Sequence, residues 1–462
     1  MKKMKKNIFA LLGIVMLLSS CSETPEKENK TVILKGSIVN YDQDTLYMNN
    51  VSSELMVFQE EIQAIELTGK TNFDYRFDLE KPTYFNIGRT FLYLSPGDSL
   101  VAKLDTRDRS FGSFTGKGAE ANNYLTKTPY PKGGSFWGER EFSSKFKTYQ
   151  DVPVGFQKVA DARLAKLNNL TQVSEAFKEL ETARVKFDYV NSLENLFYLY
   201  YPKFREGKMT QEEMELKIEE ANKYLTPYKK PFLDNFNDTK YLQLEVFQSL
   251  LYSLNKDEYR KDLDLPMLSE KLQEYFLTSN LVNELKYNGY SNQVGEKLNK
   301  EAQKIKDPTY SAVLKDLQKE YQSITKGNTA SDLTFTKLDG STIKLSDYKG
   351  KVIVLDLWAT WCGPCMNEKP YFEALEKKYH ANEDVEMISL SIDTEEKWKS
   401  YFKKHDLAGN QLQINRSQLS NYKVAAIPRF FVIDKNFKIV DVYAPLPSSG
   451  DLEVLINKTL EK

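Results

Sequence analysis

The stretch Lys351-Val352-Ile353-Val354-Leu355-Asp356-Leu357-Trp358-Ala359-Thr360-Trp361-Cys362-Gly363-Pro364-Cys365 decides the reading of the C-terminal third of this chain. Its first half is a nearly continuous apolar run, the pattern of a central strand covered on both faces. A helical stretch to about Tyr379 follows, so the two cysteines stand where a strand turns into a helix. A Cys-x-x-Cys pair at such a junction is a redox arrangement: the sulfurs can bond across the first helical turn. There the helix N-terminus, with its free N–H groups, favours a thiolate on the first cysteine. Thiolate, not thiol, attacks disulfides. Two other readings are open at this point, half of a zinc site and a purely structural disulfide. Zinc would need His380 and His405, whose separation does not suit helix-borne ligands, so no metal is expected.

Working outward, the chain has 462 residues, a net charge of -1, 41% hydrophobic and 28% charged residues, three cysteines and two histidines. At roughly 150 residues per domain, about three domains are expected. The near-neutral charge lacks the basic footprint of a nucleic-acid binder. Three cysteines exclude a disulfide-stapled scaffold.

At the N-terminus Lys2, Lys3, Lys5 and Lys6 precede an apolar run over 8–18, too short to span about 30 Å of hydrocarbon as a helix. Residues 1–20 therefore read as a signal peptide. Leu18-Ser19-Ser20-Cys21 resembles the bacterial lipobox, which implies cleavage before Cys21, lipidation of its thiol, and a polar tether over 21–30. The processed chain would be mildly acidic, held to a lipid bilayer through Cys21 and outside the cytoplasm. Processing would leave Cys362 and Cys365 as its two remaining cysteines.

Short alternating runs separated by turns, such as Thr31-Val32-Ile33-Leu34, Thr45-Leu46-Tyr47-Met48 and Phe91-Leu92-Tyr93-Leu94, predict a small antiparallel β-sandwich or barrel over 31–118. Gly36, the turn Leu94-Ser95-Pro96-Gly97-Asp98 and Phe114-Thr115-Gly116 resemble the β domain that often precedes thioredoxin-like domains in Bacteroidetes lipoproteins. Residues 119–326 are expected to be mainly helical. Stripes such as Met214, Ile218, Ala221 and Leu225 lie on one helix face and read as packing. Five to seven helices are expected from about 150 onward, with Pro153, Pro202, Pro227, Pro231, Pro266 and Pro308 at or between their ends. Residues 116–150 show no period and read as a long crossing loop. The polar stretch Lys326-Gly327-Asn328-Thr329-Ala330 marks a boundary, after which strands and helices alternate over 330–462.

That last segment resembles the thioredoxin superfamily, and within it the membrane-associated thiol-disulfide oxidoreductases of the TlpA/ResA type. The resemblance rests on Trp361-Cys362-Gly363-Pro364-Cys365, on Pro370 in the following helix, and on Ala426-Ile427-Pro428 before the strand Phe430-Phe431-Val432-Ile433. It implies an α/β thioredoxin-like fold with Cys362 as exposed nucleophile and Cys365 as buried resolving thiol. Asp356 matches the buried acid that relays a proton for the second cysteine. Glu368 matches a glutamate of the ResA branch and stands on an expected exposed helix face. Pro428 matches the family's cis-proline, which would present the backbone of Ile427 to a strand-like substrate. Trp361, Gly363 and Pro364 would border that substrate site. Arg429 stands where thioredoxins commonly carry threonine, and would place a positive charge near the groove.

The function expected is that of an extracytoplasmic, lipid-anchored disulfide reductase in the cell envelope. It would use the Cys362–Cys365 couple and no other cofactor, act on protein or small-molecule disulfides, and draw electrons from an external membrane donor. The Gly-Pro dipeptide between the cysteines is that of thioredoxin, whose potential of about -270 mV marks a reductant. Two alternatives are a thiol peroxidase, disfavoured by the tight Cys-x-x-Cys, and a ligand-binding surface lipoprotein with an auxiliary redox domain. No nucleic-acid partner is expected.

Overall fold

The computed structural model describes residues 29–461 except 42–43, 53–61, 89, 108–111, 127–134, 140–142 and 406–408. The signal segment and Cys21 lie outside the described residues.

Eight strands open the described chain: β1 (Thr31–Val39), β2 (Thr45–Asn50), β3 (Ile62–Glu66), β4 (Asn72–Asp78), β5 (Thr83–Ile87), β6 (Thr90–Leu94), β7 (Ser99–Asp105) and β8 (Ser113–Lys117). They form two four-stranded sheets, ordered β4-β1-β7-β8 and β3-β2-β5-β6, and the first is mixed rather than antiparallel as expected, since β1 pairs in parallel with β7. Alternate residues of each sheet turn into one shared apolar cluster. Val32, Leu34, Leu100 and Ala102 come from the first sheet, and Leu46, Met48, Phe85 and Leu92 from the second. The period of two in the sequence is thus a period of burial.

Helices follow. The segment 116–150, expected as a plain loop, contains the helix Ala119–Leu125 and a 3-10 turn at Ser135–Gly138. From Asp151 to Gln322 the described residues hold nine helices rather than five to seven. Several are short: Phe197–Arg205, Glu245–Leu254 and Asp257–Asp262. Pro202 and Pro227 lie inside helices rather than between them. Pro227 falls in the last turn of its helix, which ends two residues later at Lys229. Starts follow the sequence more closely. Ser174 accepts from the N–H of Phe177, and Thr210 and Glu213 form a reciprocal capping box.

Sheets and helices are joined by polar groups taken out of water. The Tyr84 hydroxyl donates to Glu181 at 2.7 Å within a buried site. Glu181 also accepts from Arg184 Nε at 3.0 Å, and Arg184 reaches Asp188 at 3.3 Å. The backbone N–H and C=O of Tyr93 both bond to the Asn122 amide. Buried carboxylates of this kind are tolerated only when partnered.

The C-terminal region contains β9 (Thr334–Thr336), β10 (Thr342–Lys344), β11 (Val352–Trp358), β12 (Val385–Ser391), β13 (Asn410–Gln413), β14 (Arg429–Ile433) and β15 (Ile439–Ala444). They form one sheet in the order β10-β9-β13-β12-β11-β14-β15. β11 runs parallel to β12 and antiparallel to β14, and all seven of its residues are buried. On one face Val352, Val354, Phe430 and Val432 pack against Phe372, Leu375 and Tyr379 of the helix Gly363–Tyr379, and against Leu452 and Ile456 of the helix Asp451–Leu460. On the other face Ile353, Leu355, Leu357 and Phe431 join an apolar cluster that runs on into the helices, through residues such as Leu317 and Tyr321. Tyr422, from the turn before β14, covers part of this face, its ring 4.9 Å from that of Phe431.

Tyr84→Phe should destabilise the protein by about 1–2 kcal/mol, because Glu181 loses a buried donor. Urea titrations of the two proteins measure it, and equal midpoints would show that the hydroxyl contributes nothing to the joint.

Candidate active site

β11 ends at Trp358 and the chain turns through Ala359, Thr360 and Trp361 into the helix Gly363–Tyr379. The turn is pinned by buried Asp393, which accepts from the Thr360 N–H at 2.7 Å and from the Thr360 hydroxyl at 3.0 Å. Cys362 is the N-cap of the helix, and Pro364 occupies its first turn, where the missing N–H costs nothing.

Cys362 and Cys365 are joined by a disulfide, with their Cα atoms 5.2 Å apart. The Cys365 N–H points at Cys362 Sγ, 3.2 Å away. Both cysteines are buried, whereas Trp361 is 64% exposed and Gly363 and Pro364 are also exposed. From the other side comes the loop before β14. The Ile427–Pro428 peptide is cis, and the Ile427 carbonyl oxygen lies 3.8 Å from Cys362 Sγ. Residues 65 positions apart in sequence are thus brought onto one sulfur.

Behind the disulfide lies Asp356, facing the helix from the middle of β11. Burial pushes its carboxyl up to about 7, raised further by Glu368 and Glu373 and held back by Lys369. Lys369 sits over the Trp358 ring at 4.6 Å and pairs with Glu373 at 3.6 Å. Glu376, further along the same helix, is buried and pushed up to about 8, again by burial first. Nothing in the sequence distinguished Lys369 or Glu376 from the solvated charges of an ordinary helix.

Three expectations are corrected. Cys362, expected to be exposed, is only 5% exposed in the disulfide, packed with Trp358 and Trp398. Glu368 is not on a free helix face: it is half-buried and accepts from the Ser448 N–H at 3.0 Å and the Ser448 hydroxyl at 2.8 Å. The chain after β15 folds back over the active-site helix and supplies this partner. Arg429 is buried and turns away from the groove, since alternation along β14 sends it to the face opposite the active-site helix. Its guanidinium stacks 3.6 Å over the Tyr443 ring and bonds the carbonyls of Val442 and Lys286 at 3.4 Å. The Tyr443 hydroxyl lies 3.2 Å from the Leu285 carbonyl and 3.3 Å from that of Lys286. These carbonyls end the helix Glu270–Asn288, the negative pole where a cation is favoured.

Among the described residues no group of three or more His, Cys, Asp or Glu side chains is placed to hold a metal ion.

Residues 325–453 match the Redoxin family model. The thiol-disulfide oxidoreductase ResA of Bacillus cereus is 36% identical over 135 residues, which are 29% of this chain and 77% of that protein. The chain belongs to the ResA-type thiol-disulfide oxidoreductases of the thioredoxin superfamily. ResA of Geobacillus kaustophilus is 31% identical over 136 residues, 78% of its length. A crystal structure assigned as a thiol-disulfide oxidoreductase from Bacteroides vulgatus is 41% identical, with 30% of this chain covering 98% of that one at a TM-score of 0.29. As a member of the ResA type, the chain is an oxidoreductase acting on disulfides. The 135-residue match to ResA carries that assignment.

Asp356 has a folded-state pKa raised above its unfolded value, so the stability it confers is complete below about pH 4 and is lost as pH rises through about 7. Asp356→Asn should therefore stabilise the oxidised protein at pH 8, on the order of 2 kcal/mol, with the gain shrinking at pH 5. Urea titrations at both pH values check this, and a gain independent of pH would contradict a buried, titrating Asp356.

Proposed function

We propose that this chain is an extracytoplasmic disulfide reductase working through a mixed disulfide on Cys362. The observation that carries the reading is the Cys362 sulfur itself, capped by the Cys365 N–H and lying against the Ile427 carbonyl. In the dithiol state the same helix N-terminus favours a thiolate on Cys362. That thiolate attacks one sulfur of a substrate disulfide, forming a mixed disulfide and releasing the first substrate thiolate. Cys365, deprotonated by Asp356, then attacks Cys362 Sγ and expels the second. The substrate gains two electrons and the protein is left as the Cys362–Cys365 disulfide, which an external donor of two electrons and two protons must reduce. Trp361, Gly363 and Pro364 supply an exposed rim beside the sulfur, and Ile427 and Pro428 border it on the other side. Glu368 assists proton movement from the flank of the helix.

The two N-terminal sheets read as a small sandwich that, with the helices, forms a platform for the redox domain. Among the described residues no helix is long and apolar enough to cross a membrane. Attachment through a lipid on Cys21, in the envelope and facing the periplasm, is the reading that the N-terminal sequence supports. A membrane protein is then the nearest source of electrons.

Cys365→Ser should trap mixed disulfides with substrate proteins, visible on non-reducing gels, while Cys362→Ser traps none and loses all turnover; equal trapping by both variants would sink the assignment of nucleophile. Glu368→Gln should slow exchange at pH 7 with little change in reduction potential. Cys21→Ser should release the protein from membranes, and wild type that takes up no labelled fatty acid would refute the anchor.

A further inference from the structure

The residue that follows Pro428 is a buried cation, and the exchange chemistry makes no use of its charge. Arg429 is 6% exposed. It opens β14 opposite Leu357 of β11, and its side chain leaves the sheet on the face away from the active-site helix. Phe431 and Ile433 cover that same face with apolar side chains. An apolar residue at position 429 would do so as well, without the cost of taking a guanidinium out of water.

What the guanidinium gains is a fixed place between two parts of the chain. It stacks on the Tyr443 ring at 3.6 Å and donates, at 3.4 Å each, to the Val442 carbonyl of its own sheet and to the Lys286 carbonyl. Lys286 lies in the last turn of the helix Glu270–Asn288, where carbonyls lack a partner within the helix. The strand itself aims the tyrosine. Between the pairs Phe430–Ala444 and Val432–Asp441 the register of β14 and β15 shifts, so Val442 and Tyr443 together stand opposite Phe431. Such a bulge re-aims a side chain. The fit at the helix end is close: at Gly289, with a φ of +70°, a Cβ would sit 2.5 Å from Cδ2 and Cε2 of Tyr443.

This anchor begins where the ladder stops. Pairs with β11 end at Arg429 and pairs with β15 at Phe430, so Ile427 and Pro428 lie beyond both. Yet the Ile427 carbonyl oxygen is the backbone group beside Cys362 Sγ, 3.8 Å away. We propose that Arg429 is a positioning residue for polypeptide substrates: anchored on Tyr443 and the end of the helix Glu270–Asn288, it holds the Ile427 backbone beside Cys362, where an extended chain carrying a disulfide pairs with it. The inference rests on the substrate border proposed above for Ile427 and Pro428. Main-chain pairing gives affinity, but ordering a loose loop on binding subtracts from it, so a loop held in advance binds more tightly. A small disulfide without a peptide chain makes no such pairing and needs only the Cys362 sulfur. Arg429, on the far face of the sheet, therefore acts on the choice of substrate rather than on the exchange step.

The test uses reduced full-length protein in single turnovers, with insulin as the polypeptide disulfide and Ellman's reagent as the small one. In each, two electrons pass from the Cys362–Cys365 dithiol to the added disulfide, and the remaining protein thiols are read by gel shift after alkylation. Arg429→Met, which keeps the length and removes the charge, should lower the rate constant for insulin on the order of tenfold. The rate constant for Ellman's reagent should stay at the wild-type value. Arg429→Lys should not restore insulin reduction, because an ammonium keeps the charge but neither the plane nor the fork of donors. Tyr443→Phe keeps the ring and should lower the insulin rate by a smaller factor. Tyr443→Leu should match Arg429→Met, and the double variant should lose no more than either, since the two side chains act as one unit. Equal losses for both disulfides, unchanged insulin rates, or additive losses in the double variant overturn the proposal. A wild type that reduces Ellman's reagent but not insulin would overturn the reading of Ile427 as a border for polypeptides, and this inference with it.

Discussion

The redox site depends on the pairing of β11 with β14. Leu357 stands opposite Arg429 in that antiparallel register. Five residues beyond Leu357 the chain reaches Cys362, and one residue before Arg429 it leaves Pro428. The ladder thus sets the distance between a sulfur on one loop and a carbonyl on another. β11 holds its place because both of its faces are buried, one under the active-site helix and the other within the larger apolar cluster. A strand buried on both sides has no freedom to slip, since a shift of one residue would turn every side chain to the opposite face.

Within that rigid frame the electrostatics are tuned by burial more than by ion pairing. Asp356 and Glu376 are both raised chiefly by loss of water, and Lys369 moderates both. Lys369 is kept near them by its pairing with Glu373 and by the Trp358 ring beneath it. A cation held in this way lowers the cost of each buried acid without neutralising either. The helix from Gly363 to Tyr379 therefore has two jobs: its N-terminus faces the sulfur, and it carries Glu376 and the cation that acts on both acids.

The helical region is more than a spacer between the sheets and the redox domain. Arg429 and Tyr443 meet the last carbonyls of the helix Glu270–Asn288, so the residue next to Pro428 is tied to an element more than a hundred positions earlier in the chain. At its other end the same region is joined to the N-terminal sheets through Tyr84, Glu181 and Arg184. Continuous packing makes the helices the mechanical link between the two.

The sequence by itself determined the redox domain and its chemistry, because these depend on local order: an apolar strand, a Cys-x-x-Cys at a helix start, and a proline before the next strand. Each of those features acts through neighbours a few residues away, and such relations are written directly in the chain. Tertiary structure alone decided the rest. Arg429 could be read as a groove charge until the strand register showed its face. Glu368 found its partner 80 positions later, in Ser448. Glu376 resembled any surface glutamate of a charged helix until Gly409 and the sheet closed over it. Burial and direction depend on which distant segments pack together, and that pairing is a property of the whole fold rather than of any stretch of residues.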